Sequence, residues 1–409
     1  MLSIDKNILL QQIYELGEIG LESDNQGRTR IALSQDEKKG RDQVVSWMKE
    51  LDLEVKIDRI GNIIGILNAS KDNQNKKPLM MGSHIDTVTN AGALDGCYGV
   101  LAGLAIIRAY KKANIVPSRP IMVVAFTNEE GIRYQPDMMG SLVFSGGLDV
   151  QVALNTIGTD GTRLEDELQK IGYAGTVESK EFIPYKYIEL HVEQGPVLEA
   201  NNKDIGIVEN LQGISWQKIT IEGKANHAGT TPTHMRFDAG IVAAKINIFL
   251  REYTLKNTTT LATIGSQDFY PNVINVIPSK VVLSVDLRDP SEIKLKKIEE
   301  ALKIFLENLI KEERVCIESE YLARFQPVKF DTKLVDSIEE SAHNLGFTYQ
   351  RLTSGAGHDA QMISSIAPSA MIFVPSRDGI SHNPLEHTPE NQLVNGANVL
   401  LEVVLKNLD

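Results

Sequence analysis

Five short segments of this 409-residue chain carry side chains that bind divalent metal ions: GSHIDTV, ALDGCYG, TNEEG, ELHVEQG and SHNPLEH. They supply His84, Asp86, Asp95, Glu129, Glu130, His191 and His382, enough imidazole nitrogen and carboxylate oxygen for a pair of cations. Taken singly, each has a plain structural explanation: a His-Asp hydrogen bond, a helix-capping aspartate, two solvated glutamates, a histidine satisfying its own loop. Together, each at the end of an apolar run, they predict one shared centre.

The chemistry follows from residue type. His84 and Asp86 are two apart on a predicted strand and face the same side, which makes His84 a ligand and the Asp86 carboxylate the group that orients its other nitrogen. Asp95 sits among glycines that allow close backbone approach, and a carboxylate with two oxygens can bridge cations ~3.5–4 Å apart. The adjacent Glu129 and Glu130 can diverge, one serving as ligand and the other as general base. His191 and His382 complete a mixed nitrogen and oxygen set that zinc or manganese accepts. Cys97, inside the second segment, reads as a small buried thiol packed behind the site.

Such residues need a frame. The strand-like runs NIIGIL, PLMMGSH, PIMVVAF, YIELHVE and AMIFVPS alternate with helical segments from Gln35 to Leu51 and after Gly99, the mark of an α/β sheet covered by helices. Sheets of this kind bind ligands beyond the carboxyl ends of their strands, where the five segments fall. Between residues 212 and 326 the pattern becomes β-α-β-β-α-β: WQKITIEG, a helix from Asp238 to Leu255, TLATIGSQ, VVLSVDLR, a helix from Glu292 to Lys311, and VCIESEYL. That is a split βαβ arrangement, and it contains none of the five segments. The expected organisation is therefore a metal-bearing domain of residues 1–211 and 327–409, interrupted by an inserted α+β domain of residues 212–326. Helices after Asp331 and after Pro389 return the chain to the main sheet.

Composition narrows the function. With 42% hydrophobic and 23% charged residues the chain is an ordinary globular protein. A formal net charge of -12 argues against nucleic acid as a partner, and an anionic substrate would need a local cation. No apolar run is long enough to span a membrane and the first residues have helical spacing, so no membrane association is expected. Two cysteines, Cys97 and Cys316, fit a reducing, cytoplasmic setting.

The motifs GSHIDTV, LDGCYGVLAG, TNEEG, ELHVEQGPVLE, ANHAGTTP, DLRDP, SGAGHDA and SHNPLEHTP, spread nearly end to end, resemble the dinuclear metal amidohydrolases of the aminoacylase and bacterial glutamate carboxypeptidase superfamily. Within it the chain is most similar to the N-carbamoyl-L-amino-acid hydrolase and allantoate amidohydrolase branch; His191 stands where peptidase relatives tend to carry an acidic ligand. The resemblance implies a mixed-sheet α/β metallohydrolase domain with an inserted, ferredoxin-like lid and dimerisation domain. It also implies two divalent metal ions per subunit, zinc or manganese, with nickel or cobalt as alternatives. By the same resemblance Asp95 bridges, His84 and His191 hold one metal, Glu130 and His382 hold the other, and Glu129 is the base. Gln194, His227, Asn275, Arg288 and His358 would contact a small ureido substrate bearing a carboxylate, whose C–N bond is hydrolysed with release of ammonia and carbon dioxide. A homodimer through the inserted domain is implied as well, with His227 serving its own or the neighbour's site.

Several of these roles have independent support. Arg288 offers a planar fork for a carboxylate unless Asp286 or Asp289 occupies it. His227, in a loop with Gly229 and Pro232, could hold a developing oxyanion. His358 lies in a glycine-flanked turn near a helix start, while Asn275 and Gln194 could pair with amide groups. With His227 and Arg288 on the inserted domain, catalysis would require domain closure. The competing readings are an aminoacylase or dipeptidase acting on an ordinary amide, and a non-catalytic metal or amino-acid binding protein on the same fold.

Overall fold

The computed structural model describes residues 2–22 and 27–408. The chain forms two compact units, Met1–Glu209 with Phe330–Asp409, and Asn210–Lys329.

The larger unit is built on a mixed sheet whose centre is four parallel strands. In spatial order these are Ile121–Phe126, Leu79–His84, Lys186–Val192 and Ser369–Val374. Nearly every residue of these strands is buried, which is why their sequences read as continuous apolar runs rather than as alternating patterns. Antiparallel strands extend the sheet: Ile63–Leu67 and Glu54–Ile57 on one side, Ile205–Leu211 on the other. Helix Cys97–Lys112 packs on the parallel strands and buries most of its length, as its apolar sequence requires. It begins three residues before the expected start, with Gly96 at its N-cap and no side-chain cap.

All four parallel strands point the same way, so their carboxyl ends lie along one edge. His84 is the last residue of its strand and pairs with Phe126, three residues before Glu129. His191 is the penultimate residue of Lys186–Val192 and pairs with Phe373. Parallel pairing thus turns four remote segments of sequence into one row.

The smaller unit is a two-layer α+β body. Its antiparallel strands run in the order Cys316–Phe325, Gly213–Glu222, Lys280–Asp289, Leu261–Thr263. Burial alternates along Lys280–Asp289, and the buried face packs Val281, Leu283, Val285 and Leu287 against Val242, Ile246, Ile298 and Leu302 of helices Ala239–Lys256 and Glu292–Glu313. One element departs from the expected order. The run TLATIGSQ is not one strand: it breaks around Ser266, whose N–H donates to Ser284 Oγ, and continues as Gln267–Tyr270, pairing with the other half of Lys280–Asp289.

Gly82, in the middle of strand Leu79–His84, has φ +147 and lies so close to the next strand that a Cβ there would stand 2.0 Å from the Val124 carbonyl oxygen. Gly82→Ala is expected to cost at least ~1–3 kcal/mol, the usual penalty of overpacking a core. Urea unfolding should show a lowered midpoint with an unchanged slope; an unaltered midpoint would contradict the close approach.

Candidate metal centre

Asp95 is the hub of the row. Its Oδ1 lies 3.1 Å from His191 Nε2 and 3.7 Å from His84 Nε2, and its Oδ2 lies 3.0 Å from His382 Nε2. Glu130 Oε2 is 3.6 Å from the same His382 nitrogen, and Glu129 Oε2 is 3.4 Å from His84 Nε2. Two groups of ligand-type atoms result, each within reach of a single ion: the buried set His84, Asp95 and His191, and the set Asp95, Glu130 and half-exposed His382.

The tautomers are set by the main chain. His84 Nδ1 is 3.0 Å from the Asp86 carbonyl oxygen and His191 Nδ1 is 2.8 Å from that of Val192. A carbonyl only accepts, so in the neutral ring each Nδ1 carries the proton and each Nε2 presents its lone pair toward Asp95. The Gly96 N–H, 3.0 Å from His191 Nε2, calls for the same lone pair. Gly96 itself has φ +63, and a Cβ there would stand 2.4 Å from His84 Nε2, so both the turn and the imidazole require glycine. The donor set therefore fits a pair of cations. Nitrogen lone pairs and anionic oxygens converge in a buried space where the ion-pair partners of Asp95, Glu129 and Glu130 among the described residues are histidines.

Electrostatics point the same way. Burial lifts Glu129 well above the ordinary carboxyl range, and burial together with Asp95 lifts Glu130 to about 8. Asp95 is held well below its ordinary value: burial opposes its charge, but hydrogen bonds from the rings of His191, His382 and His84, protonated while no cation is bound, outweigh that. The hydrogen bond to Asp95 raises His382 to about 9 against the opposing effect of burial.

Asp86 departs from expectation. Its carboxylate is 3.6 Å from His84 Nδ1, too long for a hydrogen bond, and the orienting group is its main-chain carbonyl. The carboxylate instead accepts the N–H groups of Glu129 and Glu130, each at 3.3 Å, and so shapes the Glu-Glu turn. Asp95 does not cap the following helix, whose N-cap makes no side-chain hydrogen bond. Gln194, at a left-handed φ of +57, donates through Nε2 to Asp95 Oδ2 at 2.8 Å and so belongs to the same cluster. His358 is buried with its ring 4.6 Å from that of His191, and burial lowers its pKa well below the ordinary value. Glu189, His191 and His358 form a third ligand-type group. The Glu189 oxygens are already engaged by Ser83, Tyr187 and the Ala360 N–H, which fits a structural role.

His227, Asn275 and Arg288 belong to the smaller unit. His227 Nδ1 accepts two main-chain N–H groups, from Gly229 and Thr230, so its proton resides on Nε2 and the exposed ring offers a donor. Asn275 is alongside, its carbonyl accepting the Ala228 N–H. Arg288 makes a two-point pair with Asp286, one of the two competitors anticipated for it; the other, Asp289, is taken up by Thr259, Thr260 and Ser291.

Sequence reading missed three contributors. Gly96 has a signal in hindsight, a glycine beside the proposed bridge. Buried Arg30 has none: its guanidinium donates to the carbonyls of Leu16, Ile19 and Ile85 and to Cys97 Sγ at 2.9 Å, tying the N-terminal segment to the loops of His84 and Asp95. The third is Glu386, in the same segment as His382.

A mixed sheet whose parallel strands deliver histidines and carboxylates to one edge, with a buried glutamate beside them, defines a metallohydrolase centre. Residues 80–406 match the Peptidase family M20/M25/M40, and the chain belongs to that family of metal-dependent hydrolases. It is 36% identical to an N-carbamoyl-L-amino acid amidohydrolase of Geobacillus stearothermophilus, with 97% of each chain covered. To the allantoate amidohydrolase of Bacillus subtilis it is 32% identical, over 98% of this chain and 97% of that one. Among solved structures it resembles an amidase of the hydantoinase/carbamoylase family from Burkholderia multivorans, with a TM-score of 0.96, 37% identity, and 99% and 98% of the two chains covered. No helix among the described residues is long and apolar enough to cross a membrane.

With His382 raised to about 9 by its hydrogen bond to Asp95, its ring carries a proton near neutral pH that a cation bound there would displace. Its protonated form stabilises the cation-free fold fully below the unfolded value of 6.5, and that contribution fades as pH rises through about 9. Calorimetry in buffers of different ionisation enthalpy should show proton release on cation uptake at neutral pH, diminishing above about 9. Uptake without proton release would contradict this arrangement.

Proposed function

We propose that this chain hydrolyses the ureido C–N bond of an N-carbamoyl-L-amino acid or of allantoate, giving ammonia, carbon dioxide and an amine. The observation that carries this reading is Asp95, with one oxygen among His84 and His191 and the other beside His382, in a chain whose relatives along nearly its whole length include an N-carbamoyl-L-amino acid amidohydrolase and an allantoate amidohydrolase. His191 favours it over the dipeptidase alternative, and Glu129 favours it over a non-catalytic binder, which has no use for a buried base.

Two divalent cations, zinc or manganese with nickel or cobalt as alternatives, would supply Lewis acidity and an acidified water. His84, His191 and Asp95 would hold one, and Asp95, Glu130 and His382 the other. Glu129 takes a proton from the attacking water as oxygen adds to the ureido carbon, then gives that proton to the departing nitrogen as the first C–N bond breaks; the carbamic acid left on the other nitrogen then loses carbon dioxide and frees that nitrogen. Burial raises its proton affinity above that of an ordinary carboxylate, which strengthens it as a base for the water proton. Asp86 keeps Glu129 and Glu130 pointing apart through their main-chain N–H groups. His227 Nε2–H is the proposed donor to the developing oxyanion. Arg288 is the proposed anchor for the substrate carboxylate, with Gln194, Asn275 and His358 as further substrate contacts.

A homodimer through the smaller unit belongs to the same proposal. Ile241, Ile248 and Leu255 recur every seven residues on helix Ala239–Lys256 and are 47%, 59% and 71% exposed, an apolar stripe suited to a second copy. Strand Leu261–Thr263 ends the path of paired strands in that sheet. The exposed free thiol of Cys316 supports a cytoplasmic location.

An ammonia-release screen with carbamoyl amino acids, allantoate and ureidopropionate, run beside hippurate-like amides, should give turnover on a ureido compound. Glu129→Gln should lower that turnover by ~10²–10⁴-fold with metal content unchanged. Turnover of amides alone, or a fully active variant, would sink the reading. Ile248→Asp should shift the sedimenting species from dimer to monomer; an unchanged dimer would place the interface elsewhere.

A further inference from the structure

Glu386 follows His382 by four residues in SHNPLEH and grips the Asp95 loop from behind. Its Oε2 accepts the main-chain N–H of Leu94 at 2.8 Å and that of Asp95 at 3.3 Å. Its Oε1 accepts the Ser381 hydroxyl at 3.0 Å, and the same hydroxyl lies 3.3 Å from Asp95 Oδ2. The turn that presents it is fixed by Asn383, whose side chain accepts the Leu385 N–H and whose carbonyl accepts the Glu386 N–H. Glu386 is 9% exposed, and Gly92 makes room for it: a Cβ at Gly92 would stand 2.2 Å from Oε2. One buried carboxylate thus joins two loops that are 291 residues apart, the first carrying Asp95 and the second His382.

The two candidate cation positions differ in how their ligands are held. His84 and His191 lie within buried strands, with Nδ1 fixed by a main-chain carbonyl. His382 lies outside any strand, half-exposed and at a left-handed φ of +53. Its distance from Asp95 depends on whatever ties its loop down. We infer that Glu386 is a positioning residue that sets the spacing of Asp95 and His382, and thereby the cation affinity of the Asp95, Glu130 and His382 position in particular. This rests on the two-cation reading given above. The carboxylate places a further negative charge near Asp95, and the three donors around it offset that proximity. A glutamine could keep the same geometry, its oxygen accepting the two main-chain N–H groups and its amide donating to Ser381.

The test is cobalt(II) titration of the cation-free full chain, followed by visible absorbance and calorimetry, with thermal unfolding of each protein alongside. The parent should take up two ions in separable steps. Glu386→Ala should weaken one step by ~10–100-fold, the usual effect of removing a group that orients ligands, and leave the other unchanged. Glu386→Gln should retain both steps to within a few-fold. Gly92→Ala, which removes no ligand and presses a methyl group against Glu386, should reproduce the alanine variant. The inference is overturned if Glu386→Ala binds both ions like the parent, if both of its steps weaken together, or if Glu386→Gln is as weak as Glu386→Ala. A parent that takes up one ion would remove the two-cation reading and this inference with it. A two-ion parent with an unaltered alanine variant would remove this inference alone.

Discussion

The constraint on which this structure turns is the burial of more negative charge than its neighbouring histidines can neutralise. Asp86, Asp95 and Glu129 are buried, and the Glu130 side chain is nearly so. Removing carboxylates from water costs several kcal/mol each unless opposite charge accompanies them. Among the described residues the ion-pair partners of Asp95, Glu129 and Glu130 are imidazoles, and two of these direct nitrogen lone pairs inward once they lose their Nε2 protons. Protons held by Glu130, raised to about 8, and by His382, raised to about 9, balance such a centre at neutral pH, and bound cations would replace them. The sheet supplies the rigidity that this arrangement needs, because four parallel strands end together and their positions follow from main-chain pairing rather than from the ligands themselves.

How much of this was legible in the sequence depends on whether a feature is local. The central strands could be read because burial on both faces demands uninterrupted apolar runs, and the ligand-type residues because they follow those runs. Strand Ile205–Leu211 gave a weaker signal, since Glu209 and Asn210 interrupt its apolar half. The break in TLATIGSQ depends on a cross-strand contact with Ser284 that no local pattern records. Arg30 and Glu386 were invisible for a similar reason. Their partners lie up to 67 and 292 residues away, and nothing at residues 30 or 386 announces them. Asp86 was misread in detail because spacing on a strand identifies the face of a side chain and not which of its atoms makes the bond.

The smaller unit shows the same economy with different means. Its core forms from alternating burial on one sheet face, and the other face of that pattern leaves polar residues free for other work. The His227 proton is placed by the N–H groups of Gly229 and Thr230, so a loop of small residues fixes the state of the imidazole. Arg288 is aligned by Asp286 on its own strand, which holds the guanidinium extended at some cost in competition for any incoming anion.

That His84 and His191 lean on the peptide carbonyls of Asp86 and Val192 has an evolutionary corollary. An outer partner that belongs to the backbone is the same atom whatever amino acid is encoded there, so drift at position 192 cannot rotate the ring beside it. Side chains around the centre can therefore change while the aim of these two nitrogens stays set by the main chain.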